Sequence, residues 1–317
     1  MARRGQGTRL APAFFRPLSY LGVSMELSFN LIAQQLITGL ALGSIFVLVG
    51  VGLSLIFGLL TVVNFAHGAF FMLGAYLGVF VFARTGNFWI CMVAVPLMTG
   101  AIGMLVERLL VRPLYGRGID YPLLLTFGLA YVMMDVMRMG FGVQGEPFDT
   151  PEALQGAVDI GVGMFPLYRL FLIGVTSVVL LGLWLFLEKT RFGLIVRAGA
   201  RDPLVLRVLG VNVSTVWLTI FGLGSAIAGL AGLLAAPMRG VSPEMGVPVL
   251  VEAFVITVVG GMGSLGGAIA AGLLVGVVVS FTTLFQPELA EFSMFALMAI
   301  TLIFKPNGLF GHKGLMS

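Results

Sequence analysis

The sequence predicts an all-α polytopic membrane protein. Hydrophobic residues make up 59% of the 317 residues and charged residues only 10%, whereas soluble domains contain roughly 25% charged residues. The mean hydropathy is +1.07, and apolar runs of about 20 residues, the length that spans a bilayer as a helix, recur along the chain. These runs lack the two-residue alternation of membrane strands, so helices are the expected spanning elements.

Ten apolar segments follow one another from residue 29 onward. Two of them, 50–63 and 249–262, are shorter than the roughly 20 residues needed to cross the hydrocarbon. We therefore expect about eight full transmembrane helices plus two short or re-entrant segments that line the protein interior. The ten segments are 29–49, 50–63, 66–83, 88–110, 121–141, 168–187, 213–236, 249–262, 266–285 and 288–304.

The segments divide the chain into three parts. Residues 1–28 form a basic N-terminal tail, residues 29–308 the transmembrane domain, and residues 309–317 a C-terminal tail. A protein start at Met25 instead of Met1 is an open alternative for the first part.

Charge asymmetry orients the chain, because cytoplasmic loops of membrane proteins are enriched in lysine and arginine. The loop 188–207 holds five basic residues, whereas the loop 142–167 holds four acidic residues and no basic one. The first is predicted to be cytoplasmic and the second to lie outside, and both termini are predicted to be cytoplasmic. The net charge of +4 follows from such loops and does not indicate binding to nucleic acid.

Two short matches indicate an internal repeat. Thr38–Ser44 resembles Thr219–Ser225 at an offset of 181, and Leu60–Val63 resembles Ile256–Val259 at an offset of 196. Transporters built from repeats place the substrate route at the interface between the halves, near interrupted helices.

Asn64 and His67 interrupt an otherwise lipid-compatible run, three residues apart and so on one face of a helix. A buried amide or imidazole needs a partner or a polar cavity. One interpretation is that both residues, with Gly68, line or hinge a translocation route. The alternative is structural: Asn64 caps the helix that begins near Ala66, and a neighbouring carbonyl satisfies His67.

The glycine-rich run Gly260–Gly267 lies between two apolar segments. It lacks the Lys-Ser/Thr pair of a nucleotide-binding P-loop. Close helix packing through small residues is one explanation. A flexible gate formed by Gly260, Gly261, Gly263 and Ser264 is the other.

The basic loop at about 188–212 contains the signal of a short helix. Asp202 followed by Pro203 predicts a helix start, and Gly210 predicts its end. The apolar residues of this helix form a stripe flanked by arginines, which suits a groove on a partner protein or the lipid headgroups. The residues assigned to the partner contact are Arg201, Asp202, Leu204, Arg207, Leu209 and Gly210.

Few other charges lie within or beside the apolar segments. Asp135 and Arg138 form an i,i+3 pair that can neutralise itself inside a bundle, and Glu107 stands beside Arg108 at a helix end. Glu252 is either the cap of a helix N-terminus or a contact for an ion or substrate.

Three regions, 64–76, 260–268 and 197–213, resemble the membrane-spanning permeases of branched-chain amino-acid ABC importers. Asn64–Gly68 reads N-F-A-H-G and Met72–Tyr76 reads M-L-G-A-Y, while Gly260–Ala268 fits G-G-x-G-S-x-x-G-A. The stretch Arg197–Val213 partly has the spacing A-R-x-x-G-[IV]-[ND] and departs from it at Pro203. The resemblance extends from about residue 29 to residue 308.

This resemblance implies a bacterial inner-membrane permease that translocates branched-chain amino acids. It implies four partners: a second, homologous permease, two cytoplasmic ATPase subunits and a periplasmic substrate-binding protein. ATP hydrolysis is expected on the separate ATPase subunits, so the chain itself is not expected to be an enzyme. Related permeases serve urea or short amides, which is the alternative substrate class.

A stand-alone secondary transporter is the rival from another class. It requires coupling charges within the spans, and the main candidates are His67, Asp135 and Glu252. Cys91 is the only cysteine, which excludes a disulfide within the chain and a cysteine-based metal site. No cofactor is implied.

Overall fold

The computed structural model describes residues 29–60, 62–161, 163–201 and 203–311, without the side chains of residues 201 and 203–205. Within these residues the chain forms eleven α-helices and one small antiparallel hairpin. The helices are α1 (Phe29–Leu60), α2 (His67–Thr85), α3 (Phe88–Val106), α4 (Asp120–Phe141), α5 (Leu167–Lys189), α6 (Arg191–Arg201), α7 (Pro203–Val208), α8 (Val213–Arg239), α9 (Gly246–Gly260), α10 (Leu265–Phe285) and α11 (Ala290–Phe304), and the strands are β1 (Ala157–Asp159) and β2 (Met164–Pro166).

Nine helices in the described part of the chain are long and apolar enough to cross a membrane. They are α1 to α5 and α8 to α11, and short turns of other helix types lengthen α3, α9 and α11. The remaining two, α6 and α7, are short and follow one another between α5 and α8. The all-α polytopic fold predicted from the composition is confirmed.

The prediction of a separate short segment at 50–63 is wrong. α1 continues without interruption over 32 residues, which is about 48 Å of helix and exceeds the hydrocarbon thickness of about 30 Å. Gly50 stands at the expected junction but lies inside the helix, where a Cβ would come within 2.5 Å of Cγ2 of Ile256. Glycine serves here to bring two helices together and does not end one.

The other short segment, 249–262, is present as α9. Its 15 residues give about 22 Å of helix, less than the hydrocarbon thickness of about 30 Å. A three-residue helical turn, Pro243–Met245, precedes it and extends the apolar stretch to 18 residues.

The two described ends of the chain lie at opposite ends of the bundle. At one end, Nη1 of Arg169 at the start of α5 donates to Oγ1 of Thr38 in α1 at 3.1 Å. At the other end, α1 finishes beside α6, and the N–H of Leu309 donates to the carbonyl oxygen of Val259 near the end of α9 at 2.8 Å. The termini themselves, in residues 1–28 and 312–317, lie outside the described residues, so the cytoplasmic position of both termini stays a prediction.

The core of the bundle is formed by α1 and α8, most of whose residues are buried, whereas α4 and α11 are largely exposed. Glycines permit the closest helix contacts. A Cβ on Gly74 in α2 would overlap the carbonyl oxygen of Gly229 in α8, and a Cβ on Gly276 in α10 would overlap the backbone of Gly43 in α1. The central helices therefore touch backbone to backbone, as small residues allow in lipid.

The order of the helices agrees with a repeat on either side of α5, with α1 to α4 before it and α8 to α11 after it. The first sequence match joins equivalent helices, because Thr38–Ser44 lies inside α1 and Thr219–Ser225 inside α8. The second match does not join equivalent positions. Leu60–Val63 begins at the last residue of α1, whereas Ile256–Val259 lies within α9.

Candidate functional site

The connection between α1 and α2 runs back into the bundle. We call residues 62–66, which are not helical, the entry segment. Nε2 of His67, the first residue of α2, lies 3.0 Å from the carbonyl oxygen of Val49. Val49 precedes the end of α1 at Leu60 by eleven residues, or about 16 Å of helix. α2 therefore begins inside the bundle and not at its surface.

Asn64 forms a turn within the entry segment. Its side-chain Oδ1 accepts the N–H of Ala66 at 3.1 Å, and its backbone carbonyl accepts the N–H of His67 at 3.1 Å. This Asx turn satisfies two backbone donors that would otherwise be unpaired in apolar surroundings. These bonds, and the one from His67 to Val49, correspond to the structural alternative, although Asn64 bonds Ala66 and not the first turn of α2.

Two polar side-chain atoms at this turn have no hydrogen-bond partner among the described residues, namely Nδ2 of Asn64 and Nδ1 of His67. Both residues are almost completely buried, with 1% and 0% of their surface exposed. Most buried polar atoms in proteins are hydrogen-bonded. The turn therefore holds unused hydrogen-bonding capacity in the interior of an apolar bundle.

Gly68 brings the start of α2 against the start of α9. A Cβ on Gly68 would overlap the carbonyl oxygen of Gly246, and a Cβ on Gly246 would lie 2.6 Å from the carbonyl oxygen of Gly68. The contact is reciprocal and involves backbone on both sides. Any side chain at either position would separate the two helix starts.

The connection between α9 and α10, which we call the glycine turn (Gly261–Ser264), is closely packed. Gly261 and Gly263 have φ values of +101° and +80°, a region that glycine adopts readily. Oγ of Ser264 accepts the N–H of Gly267 at 3.1 Å and caps α10. Backbone conformation and capping explain these residue types at the turn.

The glycine turn lies at a different depth from the start of α2. A Cβ on Gly58 would lie 3.1 Å from Cα of Gly263, and Gly58 follows Val49 in α1 by nine residues, or about 13 Å. The N–H of Phe310 donates to the carbonyl oxygen of Gly260 at 3.0 Å, so the chain after α11 covers the end of α9. The two predicted sets of route residues are therefore not brought together.

The predicted pair within α4 is present and has a third member. Nη1 of Arg138 lies 3.0 Å from Oδ1 of Asp135, and Nη2 of Arg138 lies 2.7 Å from Oε1 of Glu244 in the turn before α9. We call these three side chains the rim cluster. Sequence reasoning missed Glu244 because 106 positions separate it from Arg138.

Glu107 is fully buried, and its partner is Arg112 and not the adjacent Arg108. The contact is bidentate, with Nη2 to Oε2 at 2.8 Å and Nε to Oε1 at 3.3 Å. Glu107 begins a π-helical segment, Glu107–Val111, that ends directly before Arg112, and its wider turn favours contacts between residues five apart. Nη2 of Arg112 also donates to the carbonyl oxygen of Ser214 at 3.3 Å, which links the end of α3 to the start of α8.

Glu252 is the seventh residue of α9, so it does not cap the helix N-terminus. Its Oε2 lies 3.0 Å from Nη1 of Arg239, the last residue of α8. The carboxylate therefore has a cationic partner.

Two short helices, α6 and α7, occupy the basic loop where the sequence predicts one. α7 begins at Pro203, as predicted, and ends at Val208, and Gly210 follows with a φ of +77°. The helix α6 was not predicted, although R-F-G-L-I-V-R-A-G-A-R at Arg191–Arg201 repeats apolar residues at helical spacing. Val208, the last residue of α7, and Leu209, which follows it, are 82% and 71% exposed.

The residues assigned to a partner contact are only partly described. Asp202 and the side chains of Arg201 and Leu204 lie outside the described residues. Arg207 and Gly210 border an open cleft beside Tyr115 and Trp217. Burial raises the pKa of the Tyr115 hydroxyl above its ordinary value, so this residue stays neutral.

A second open space is a groove between α2, α4 and α9. The residues come from three helices that are distant in sequence, so no sequence pattern could have predicted it. Those that form most of its wall are Phe65, Met72, Tyr131, Met134, Val247 and Leu250.

These features define a class of protein. The chain is a multi-span helical membrane protein in which one helix starts inside the bundle, and such interrupted helices are typical of transporters. Its residues 35–302 match the family model described as "Branched-chain amino acid transport system / permease component". The chain belongs to this family.

Relatives with related names cover most of the chain. The high-affinity branched-chain amino acid transport system permease protein BraD of Pseudomonas aeruginosa is 30% identical over 88% of this chain and 95% of BraD. LivH of Escherichia coli K12, a permease protein of the same description, is 27% identical over 91% of this chain and 98% of LivH. LivM of the same strain is 29% identical over 84% of this chain and 67% of LivM.

Proposed function

We propose that this chain is the membrane-spanning permease of an ATP-driven importer that carries branched-chain amino acids across the bacterial inner membrane. The observation that carries the proposal is the family match over residues 35–302. The names of BraD and LivH, which align over almost their full lengths, support the substrate class.

In this proposal the start of α2 lines or hinges the route. Asn64 and His67 supply the unused polar atoms, and Gly68 holds α2 against α9. The glycine turn with Gly260 acts as a fixed joint and not as a moving gate, because both its helices are tied by backbone contacts.

We assign α6 and α7 to docking on an ATPase subunit, through Arg201, Asp202, Leu204, Arg207, Leu209 and Gly210. The exposed Val208 and Leu209 support this assignment, since large apolar side chains outside the spans favour a partner contact. Movement of the docked segment reaches the bundle through two contacts with the end of α3. These are the bond from Arg112 to Ser214 and the ring contact of Tyr115 with Trp217, whose centroids are 4.7 Å apart.

The positive-inside rule places the end of the bundle that carries α6 and α7 in the cytoplasm. The acidic loop between α4 and α5 then faces outward, where a substrate-binding protein would dock. A second, homologous permease completes the membrane unit, and two ATPase subunits hydrolyse ATP. The permease itself is a transport subunit and not an enzyme.

A gradient-driven transporter receives less support. Asp135 and Glu252, two of its three candidate coupling groups, are each paired with an arginine. Each of these carboxylates therefore already has a cationic partner within the chain.

Reconstitution in liposomes tests the proposal. Concentrating leucine a thousandfold requires about 4 kcal/mol, so uptake of labelled leucine by this chain with its second permease, ATPases and binding protein should require ATP and survive a proton ionophore. Concentrative uptake by the chain alone under a proton or sodium gradient would contradict it. ATP-driven uptake of urea or a short amide, with no leucine uptake, would show that the substrate is urea or a short amide and not a branched-chain amino acid.

A further inference from the structure

We propose that the groove between α2, α4 and α9 receives the aliphatic side chain of the transported amino acid, while the rim cluster binds its amino and carboxylate groups. This inference rests on the proposed function, which supplies the substrate class. It adds the place on this chain where that class is selected.

The groove has the wall for an aliphatic group, since small-molecule sites are lined mainly by apolar side chains. Met72 of α2, Met134 of α4, and Val247 and Leu250 of α9 form its walls, and among the described residues no charged side chain lines it. Methionine side chains adapt to ligands of varied shape, so leucine, isoleucine and valine can share the site.

The rim cluster stands at the mouth of this groove. Arg138 follows Met134 by one turn of α4, and Glu244 follows Pro243, which lines the groove. The side chains of Asp135 and Glu244 are 63% and 56% exposed, so both carboxylates keep free acceptor positions. An amino acid matches this arrangement, because its ammonium group pairs with the carboxylates and its carboxylate with the guanidinium of Arg138.

The inner end of the groove meets the entry segment. Phe65 lines the groove and belongs to that segment, and its N–H donates to Oγ1 of Thr126 in α4 at 3.1 Å. Asn64 precedes Phe65 directly. The groove therefore leads from a charged mouth to the place where unused polar atoms lie inside the bundle.

Filling the groove tests the proposal. In the complete complex, Val247→Trp should raise the KM for leucine by at least about tenfold, the scale of a steric change in an apolar pocket. Val247 is 54% exposed, so the larger side chain does not disturb the core. Val178→Trp is the matched control, because Val178 is 70% exposed on α5, away from the groove. The KM of this control variant for leucine should stay at the wild-type value.

Enlarging the groove tests the selectivity. Met134→Ala should increase uptake of phenylalanine relative to leucine by about tenfold, with the amount of permease in the membrane checked by immunoblot. Arg138→Gln should weaken the binding of leucine and of phenylalanine equally, since it removes a contact with the carboxylate that both amino acids carry.

The outcomes separate this inference from the proposed function. If the wild-type complex takes up leucine with ATP but Val247→Trp and Met134→Ala keep its KM and selectivity, the groove holds something else, such as a lipid acyl chain, and the inference is wrong while the proposed function stands. If the wild-type complex takes up no amino acid, both are wrong.

Discussion

The bundle has two interruptions, one with polar residues and one rich in glycine, and they differ in structure. The entry segment brings α2 to a start deep in the bundle and leaves Nδ2 of Asn64 and Nδ1 of His67 without partners among the described residues. The glycine turn lies near the end of α1, where Ser264 caps α10 and the chain after α11 bonds the end of α9.

We infer from this difference that the two connections have different roles. Unpaired polar atoms in an apolar interior cost free energy, and a structure retains them where substrate or water uses them. Backbone bonds and contacts between glycines do the opposite, because they fix the geometry of a connection. We therefore expect the entry segment to carry transport and the glycine turn to carry stability.

The largest effect should come from the contact that positions the entry segment. Gly68→Ala places a Cβ on the carbonyl oxygen of Gly246, and overlap with backbone should cost about 3 kcal/mol or more. We expect most of the protein to be lost from the membrane, as measured by immunoblot. Gly128→Ala in α4 is the control, since a Cβ there meets no atom within 4 Å; equal loss in both variants would contradict the explanation.

The next effect concerns the glycine turn. Gly261→Ala combines a positive φ with a Cβ 2.5 Å from the backbone nitrogen of Gly311, which should cost about 1–3 kcal/mol. The Tm in detergent should fall, while uptake per folded molecule should not. Gly266→Ala, with open space around the new Cβ, should keep the wild-type Tm, and a similar drop in it would argue against a local cause.

A smaller effect on free energy should follow from substituting His67, which begins α2 directly after the entry segment, and it should act on transport. His67→Ala removes the bond to the carbonyl oxygen of Val49, and uptake should fall by about tenfold, the scale of one buried hydrogen bond. His67→Gln retains a donor and should restore part of the uptake. If both variants lose protein from the membrane in proportion to uptake, His67 is purely structural.

The smallest effect should follow from removing the cap of α10. Ser264→Ala loses the bond to the N–H of Gly267 and should cost about 1 kcal/mol of stability. Ser264→Asn keeps a capping oxygen and should match the wild type in thermal unfolding. A change in leucine uptake without a change in Tm would contradict the assignment of this turn to stability.

Hydropathy was sufficient to predict the membrane class and the short α9, because the bilayer imposes both length and composition on a helix. It predicted a false helix boundary at Gly50, because the sequence does not distinguish a glycine inside a packed membrane helix from a glycine that ends a helix. The partner of Glu107 was missed because a π-helical segment changes the spacing of contacts. The contact of Glu244 with Arg138 and the groove both form between helices that are distant in sequence. No local sequence pattern predicts such contacts.

Cysteine accessibility compares the two interruptions most directly. In a Cys91→Ser background, Asn64→Cys and Ser264→Cys are introduced separately, and the rate of reaction with a small maleimide is measured in the complete complex with and without ATP. We expect the Asn64→Cys variant to change its rate between the two states and the Ser264→Cys variant to keep one rate. A constant absence of labelling at position 64, or a nucleotide-dependent change at position 264 alone, would contradict the assignment of transport to the entry segment.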